Sequence, residues 1–106
     1  MASISAGAYH SLAVGTDGTC WSRGYNVDGE LGNGHSYLPV GYCIPGQVLG
    51  LSQAIRASGG GSHSVSAQLG WTVESWGSNN YGQLGDGTRI ERNQPVSVYG
   101  GFILSY

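Results

Sequence analysis

Short runs of alternating apolar and polar residues recur along the chain, and each run predicts a β-strand. The run His10–Val14 is followed by GTDG, where Asp17-Gly18 is typical of a hairpin tip, and then by the return run Thr19–Gly24. The runs His63–Gln68 and Trp71–Gly77 repeat this arrangement. Glycine interrupts every window of helical length, so no amphipathic helix is predicted. The pattern therefore predicts an all-β chain.

Each hairpin is flanked by two further strand candidates. An apolar segment opens each unit, around Ile4 and around Ile55, and a segment that starts with proline closes each unit, from Pro45 and from Pro95. The second unit matches the first at an offset of 53 positions from its His-Ser pair onward. We place the two units at residues 1–54 and 55–106. About four short strands in a repeat of this length are typical of a β-propeller blade.

The 20 glycines are concentrated in two segments, GYNVDGELGNG and GSNNYGQLGDG, whose glycines correspond position by position. Tight turns between short strands require positive φ angles, which glycine adopts at little cost. Adjacent blades also approach too closely for a Cβ atom at some positions. We expect structural roles for these glycines and for the leucine in each segment: Gly24, Gly29, Leu31, Gly32, Gly34, Gly77, Gly82, Leu84, Gly85 and Gly87.

The stretch AGAYHSLAVGTDGTCWSRGYNVDGELGNG resembles the repeat of the regulator of chromosome condensation family, and the second unit resembles it as well. Arg23 stands where the pattern has the tryptophan that Trp76 supplies, and Glu30 stands where it has the glutamine present as Gln83. The resemblance implies propeller blades. The family includes nucleotide exchange factors, ubiquitin-ligase domains, a light sensor and a β-lactamase inhibitor, so the resemblance does not select one function. No GTPase-facing acidic site maps onto these positions, and exchange activity is not carried over.

Two blades are fewer than the family's usual seven, and a two-blade unit leaves two blade faces uncovered. We therefore expect a closed cyclic homo-oligomer, with a trimer of six blades favoured over a tetramer of eight. The tail Phe102–Tyr106 aligns with Ser52–Arg56, the opening strand of a blade. It is predicted to act as a latch strand on the next copy.

Composition narrows the range of partners. Apolar residues make up 40% of the chain and charged residues 9%, a balance that favours a folded chain over disorder. There is no lysine, the four arginines form no patch, and the formal net charge is −2, so nucleic-acid binding is not expected. No apolar run approaches the ~20 residues that span a bilayer, so no membrane span is expected. The remaining partners are the chain itself and other proteins.

His10 and His63 each precede a serine, but adjacent residues of a strand point to opposite faces, so no Ser–His pair is expected. We interpret both histidines as structural residues that are buried and hydrogen-bonded to backbone groups. His35 has no counterpart in the second unit and is a weak candidate for a functional loop residue. Cys20 is expected to be a buried, reduced thiol, and a Cys20–Cys43 disulfide is the alternative. No metal site, cofactor or catalytic constellation is expected.

The two units differ most in their loops, which place aromatic and guanidinium groups at positions suited to protein contacts. The candidate interaction residues are Tyr37, Tyr42, Arg89, Ile90 and Arg92. We interpret the chain as a non-catalytic propeller module that self-assembles and binds protein through its loops. The alternatives are a purely structural two-blade unit, natural or engineered, without a ligand, and, less favoured, a hydrolase or an exchange factor.

Overall fold

The structure, a computed structural model, describes residues 3–34, 41–51, 53–69, 72–81, 83–85 and 87–98. They form two four-stranded antiparallel sheets, ordered β1-β2-β3-β4 and β5-β6-β7-β8. The first sheet contains β1 (Ser3–Ala6), β2 (His10–Val14), β3 (Cys20–Tyr25) and β4 (Gly41–Gln47). The second contains β5 (Ala54–Gly59), β6 (His63–Gln68), β7 (Val73–Gly77) and β8 (Arg92–Ser97). Within these ranges there is no helix, including any that could cross a membrane. The predicted all-β fold of two four-stranded blades is confirmed.

Alternation along the second strand of each sheet gives the sheet two distinct faces. In β2, His10, Leu12 and Val14 are buried on what we call the histidine face, while Ser11 and Ala13 lie on the opposite, serine face. The second sheet has the same two faces at the equivalent positions. Its histidine face carries His63, Val65 and Ala67, and its serine face carries Ser64, Ser66 and, on β7, Trp76.

The histidine face of the first sheet packs against the serine face of the second, and β1 and β2 contact β5. Trp76 is fully buried at this junction, where it packs against the apolar side chains of the first sheet. The shared core consists of Leu12, Val14, Cys20, Val48, Leu51, Ala54 and Trp76. The stacking of one blade on the next therefore buries the apolar side chains of the histidine face of the first sheet, Leu12 and Val14.

The outer strands differ from the sequence prediction. β4 and β8 begin before their prolines, at Gly41 and Arg92, whereas the sequence suggests strands that start at Pro45 and Pro95. Both are edge strands, and in both the pairing register shifts close to the proline. Proline is tolerated at such positions because an edge strand or a bulge does not need its missing amide. The division of the chain at residues 54 and 55 stays a prediction.

Candidate functional site

The long connections of both sheets lie at the same end of the molecule. The described parts of the β3–β4 and β7–β8 loops lie beyond the ends of β3 and β7. The three-residue turns between β1 and β2 and between β5 and β6 lie at the same end. We call the described residues of these loops, together with Tyr25 at the end of β3, the long-loop end. Among the described residues, the opposite end carries the β2–β3 and β6–β7 turns and the connection between the sheets. Longer loops commonly carry the binding residues of a protein, so the long-loop end is the first place to look for a ligand site.

The loops of the long-loop end are held by the same internal contacts in both blades. Asn26 Oδ1 accepts the Leu31 amide at 3.0 Å, and Asn79 Oδ1 accepts the Leu84 amide at 3.0 Å. The Ser22 hydroxyl donates to the Leu31 carbonyl at 2.7 Å, and the Ser75 hydroxyl does the same to the Leu84 carbonyl at 2.6 Å. Both leucines are buried. The β3–β4 and β7–β8 loops are therefore each anchored to their own sheet by a buried leucine and two polar side chains.

The glycines of these segments occupy backbone conformations that other residues rarely adopt. Gly24 and Gly77 have φ angles of 114° and 106°, and a Cβ atom on either would lie within 3 Å of the adjacent strand. A Cβ on Gly29 would lie 2.8 Å from the Cα of Asn93 in the other blade. Positive φ angles are also found at Gly32, Gly34, Gly85 and Gly87, while Gly82 lies outside the described residues. Their structural assignment is consistent with this geometry and stays a prediction.

Three tyrosines at the long-loop end are not singled out by the sequence analysis. Tyr9 is 75% exposed and Tyr81 is 88% exposed, although both are large and partly apolar. The Tyr25 ring, 38% exposed, lies 5.9 Å from the ring of Tyr9, measured between centroids. Each tyrosine corresponds to a small or acidic residue in the other repeat: Ser62, Ser78 and Asp28. A comparison of the two repeats for unmatched aromatic residues would have found them.

The predicted interaction residues are found at different places. Ile90 is exposed, and the Arg89 side chain is exposed while its Nε donates to the Asn80 carbonyl at 2.7 Å. Arg92 begins β8, and its guanidinium contacts the Thr88 hydroxyl at 3.4 Å. Tyr42 pairs with Gly24 inside β4 and so does not lie in the loop where it was expected. Tyr37 and His35 lie outside the described residues.

A hydrogen-bonded cluster joins the two blades. His10 Nε2 lies 2.9 Å from the Ser64 hydroxyl, and this hydroxyl donates to the Glu30 carbonyl at 2.9 Å. The indole Nε1 of Trp76 donates to the same carbonyl at 2.9 Å. The expected separation of each histidine from its neighbouring serine holds for His10 and Ser11, and His10 instead meets the serine of the other blade. Alternation does separate His10 from Ser11 within the strand, but it says nothing about the serine of the next blade.

The Ser64 hydroxyl has one proton and gives it to the Glu30 carbonyl, so the His10 ring must donate from Nε2. Nδ1 of His10 then carries the lone pair and has no partner in the described structure. Burial first, and the nearby His63 ring second, lower the pKa of His10. A neutral ring that donates to serine cannot act as its general base, and both residues are buried. The pair is suited to holding blades together and not to nucleophilic catalysis.

His63 is the counterpart of His10 on the second blade. It lies on the histidine face that no other described strand covers, and it is only partly buried. Burial lowers its pKa. The His10 ring bonds to the Ser64 hydroxyl, and the His63 backbone acts on the pKa of His10 in the direction opposite to burial. The structural interpretation of both histidines remains a prediction.

Glu30 is fully buried beside this cluster. Its Oε1 accepts the Asp28 amide at 2.8 Å, and its Oε2 has no partner among the described groups. Burial raises the pKa of the carboxyl group. The sequence marks Glu30 as a departure from the repeat pattern, but its contacts with Ser64 and Trp76 of the second blade are visible only in the structure.

Cys20 is buried in the core with a free thiol, and burial raises its pKa to about 11. The side chain of Cys43 lies outside the described residues. Among the residues that the structure describes, no three histidine, cysteine, aspartate or glutamate side chains are grouped as a metal ion requires. The arrangement offers contact surface at the long-loop end and a polar junction between blades.

Two profiles of the regulator of chromosome condensation (RCC1) repeat match the chain. One covers residues 1–30, and the other covers residues 17–67 and 73–101. The first segment of the second match begins in the β2–β3 turn and ends in β6. The unit of sequence similarity therefore spans the junction between the two sheets.

Similar proteins are much longer than this chain. The human probable E3 ubiquitin-protein ligase HERC6 is 36% identical over 100 residues, which cover 90% of this chain and 10% of that protein. The ultraviolet-B receptor UVR8 of Arabidopsis thaliana is 28% identical over 100 residues, covering 92% of this chain and 22% of the receptor. The crystal structure of Prp20p from Saccharomyces cerevisiae superposes with a TM-score of 0.80 at 23% identity, covering 92% of this chain and 25% of that one. The chain thus spans about a tenth to a quarter of these proteins.

Proposed function

This chain belongs to the regulator of chromosome condensation (RCC1) repeat family, and we propose that it is a non-catalytic propeller module whose long-loop end binds another protein. Propeller blades of this family are typically protein-binding or regulatory modules. Prp20p of Saccharomyces cerevisiae has binding properties toward Gsp1p and histones, and these belong to that protein. Binding of a protein partner is the function that the geometry of this chain supports best.

The observation that carries the proposal is the group of exposed aromatic side chains at the long-loop end. Tyr9, Tyr25 and Tyr81 expose their rings there together with the aliphatic side chain of Ile90. Tyrosine is enriched in protein interfaces, since its ring buries a large area at low entropic cost and its hydroxyl forms hydrogen bonds. Tyr25 ends strand β3 and Tyr81 lies in a loop anchored to its sheet, so the backbone that carries these two rings is preformed, which lowers the entropy lost on binding.

The same geometry gives little support to catalysis. The one Ser–His pair of the described residues is buried, and its serine proton is used by a backbone carbonyl. A hydrolase needs a nucleophile that substrate can reach. No feature of the described residues favours an exchange factor over other binding modules, so the partner is proposed as a protein of unspecified activity.

Substitutions copied from the other repeat test this proposal. Tyr9→Ser and Tyr25→Ser copy Ser62 and Ser78, so the fold should be kept while the aromatic surface is removed. Quantitative mass spectrometry should identify proteins that the wild type captures and this double variant loses. Leu69→Ser, an exposed apolar residue at the opposite end, is the matched control and should retain them. If both variants captured the same proteins as the wild type, binding at the long-loop end would be wrong.

We also propose that copies of the chain complete a ring through their uncovered blade faces, with a trimer favoured over a tetramer. Among the described residues, no strand packs on the histidine face of the second sheet or on the serine face of the first. The two faces differ, so the contact is head-to-tail and closes into a ring or extends as a filament. The proposed latch strand lies outside the described residues. Light scattering coupled to size exclusion should give three times 11.0 kDa, and a folded monomer would contradict self-assembly. In that case the two open blade faces would not be covered by copies of this chain.

A further inference from the structure

We propose that the serine face of the first sheet docks on the histidine face of the second sheet of another copy, and that Arg23 sets the strength of this contact. The inference rests on the proposed self-assembly and identifies the residues that would form it. Its template is the junction inside the chain, where the same two kinds of face already meet.

The pairing register makes the two serine faces equivalent position by position. Ser64 lies opposite Trp76 in the second sheet, and Ser11 lies opposite Arg23 in the first. Both pairs are separated by the offset of 53 positions that relates the repeats. A blade placed against the first sheet would therefore meet Ser11 and Arg23 where the internal junction has Ser64 and Trp76.

The serine face of the first sheet carries an apolar groove. Ile4, Ala13 and Trp21 lie side by side on adjacent strands, and with Arg23 and Pro45 they line a groove of about 220 Å³. Ile4 is 76% exposed and Trp21 is 39% exposed. On the second sheet the corresponding face is buried against the first, at Ser64, Ser66 and Trp76. Within the chain, the serine face of the second sheet packs on a histidine face. We therefore expect the serine face of the first sheet to pack on a histidine face as well.

The polar contacts of the internal junction also have counterparts on the open faces. Inside the chain, His10 donates to Ser64, and Ser64 donates to the Glu30 carbonyl. Between two copies, His63 would donate to Ser11 of the partner copy, and Ser11 would donate to the Gln83 carbonyl. His63 is only partly buried, so its ring is available to this contact. The same chemistry would thus join blades within a chain and between chains.

Arg23 is the position where the two junctions differ. Trp76 fills the internal junction with a fully buried ring and donates one hydrogen bond to the Glu30 carbonyl. The guanidinium of Arg23 can donate to the equivalent Gln83 carbonyl, but its charge must lose water when the faces meet. The contact between copies should therefore be weaker than the junction inside the chain. Replacing Arg23 with tryptophan should remove this difference.

Sedimentation velocity over a range of concentrations tests the docking. Arg23→Trp should tighten association about tenfold or more, and Ser11→Ala or His63→Ala should weaken it about fivefold at each junction. Arg89→Trp is the matched control for added aromatic surface, and Thr16→Ala, in the β2–β3 turn, is the control for Ser11→Ala. Neither control should change association. In the double variant Arg23→Trp/His63→Ala, part of the gain should be lost.

The outcomes separate this inference from the proposals on which it rests. Association that is the same in the wild type, Ser11→Ala, His63→Ala and Arg23→Trp would overturn the docking geometry and leave self-assembly standing. A monomer at every concentration, in the wild type and in Arg23→Trp, would overturn both and leave binding at the long-loop end untouched. Equal gains from Arg23→Trp and Arg89→Trp would show nonspecific aggregation and would also overturn the role of Arg23.

Discussion

Replacing Glu30 with glutamine should stabilise the protein. The Glu30 side chain is fully buried, and its Oε1 accepts the Asp28 amide at 2.8 Å while its Oε2 has no partner among the described groups. Glutamine keeps the bonded oxygen and puts a neutral amino group in place of the second oxygen. The second repeat already has this arrangement, since Gln83 Oε1 accepts the Tyr81 amide at 2.9 Å. The substitution therefore removes a buried charge and keeps the local hydrogen bond.

The expected gain follows from the difference between a charged and a neutral buried group. Leaving a neutral polar group without a partner costs about 1–3 kcal/mol, and a charged group costs more. The amino group of glutamine keeps part of that penalty, so we expect a net gain of about 1 kcal/mol at neutral pH. For a chain of about 100 residues this gain corresponds to a rise in Tm of roughly 4–8 °C.

The gain should depend on pH in a defined direction. Because burial raises the pKa of Glu30 in the folded chain, the folded state holds this proton more tightly than the unfolded state does. The wild type therefore loses stability as the pH rises from the unfolded pKa through the folded pKa of Glu30. The glutamine variant has no such titration. Its advantage should be full above the folded pKa and should shrink as the pH falls toward about 4.5.

Urea unfolding of both proteins at neutral and at acidic pH measures this effect. Glu74→Gln removes one negative charge from a partly buried position and serves as the control. Its free energy of unfolding should change by no more than about 0.5 kcal/mol. A Glu30→Gln variant that is less stable than the wild type, or whose advantage is the same at both pH values, would show that the buried carboxylate does not destabilise the fold.

Three further predictions concern the junction, the core thiol and the backbone. His10→Ala or Ser64→Ala should destabilise the fold by about 1–3 kcal/mol, with a coupling of about 1 kcal/mol in a double-mutant cycle, and additive effects would contradict the bond. Because the pKa of His10 is lowered in the folded chain, its contribution to the free energy of unfolding should be complete above about pH 6.5 and should decline as the pH falls through the folded pKa. The variant His10→Gln should not show this decline. Iodoacetamide should label Cys20 only after unfolding, because the thiol is buried and its pKa is raised to about 11; rapid labelling in native protein, located by peptide mapping, would contradict this. Gly24→Ala should lower the free energy of unfolding by about 2 kcal/mol or more, because φ is 114° and a Cβ would lie 2.6 Å from a carbonyl oxygen. Gly46→Ala, where a Cβ meets nothing within 4 Å, is its control, and equal losses would contradict the prediction.

The alternation of apolar and polar residues was sufficient to predict the inner strands, and the matching of the two segments was sufficient to predict the repeat. The predicted bounds of β2 and β6 agree with the structure because alternation of apolar and polar side chains follows directly from the two-residue period of a strand. The outer strands were less well predicted. The sequence suggests strand starts at Pro45 and Pro95, yet bulged edge strands accept proline in their interior, and this depends on which strand lies at the sheet edge.

The candidate site was only partly accessible from sequence. Arg89 and Ile90 were identified because their loops differ between repeats, and Tyr9, Tyr25 and Tyr81 were missed because single positions were not compared in the same way. Exposure of a tyrosine is a tertiary property, since the same residue in a strand is as often buried. The aromatic surface could therefore be suggested by the repeat comparison and established only by the packing of the loops.

Periodicity and glycine spacing are local properties of the chain, and they were enough to predict two repeated four-stranded units of the regulator of chromosome condensation type. Which groups meet across the junction depends on how the two blades stack. His10 and Ser64 are 54 positions apart, and the Glu30 carbonyl accepts hydrogen bonds from Ser64 and Trp76 of the other blade. Alternation assigns each side chain to a face, but the partner of that face is fixed by how one sheet stacks on the next, with a geometry that no local pattern contains.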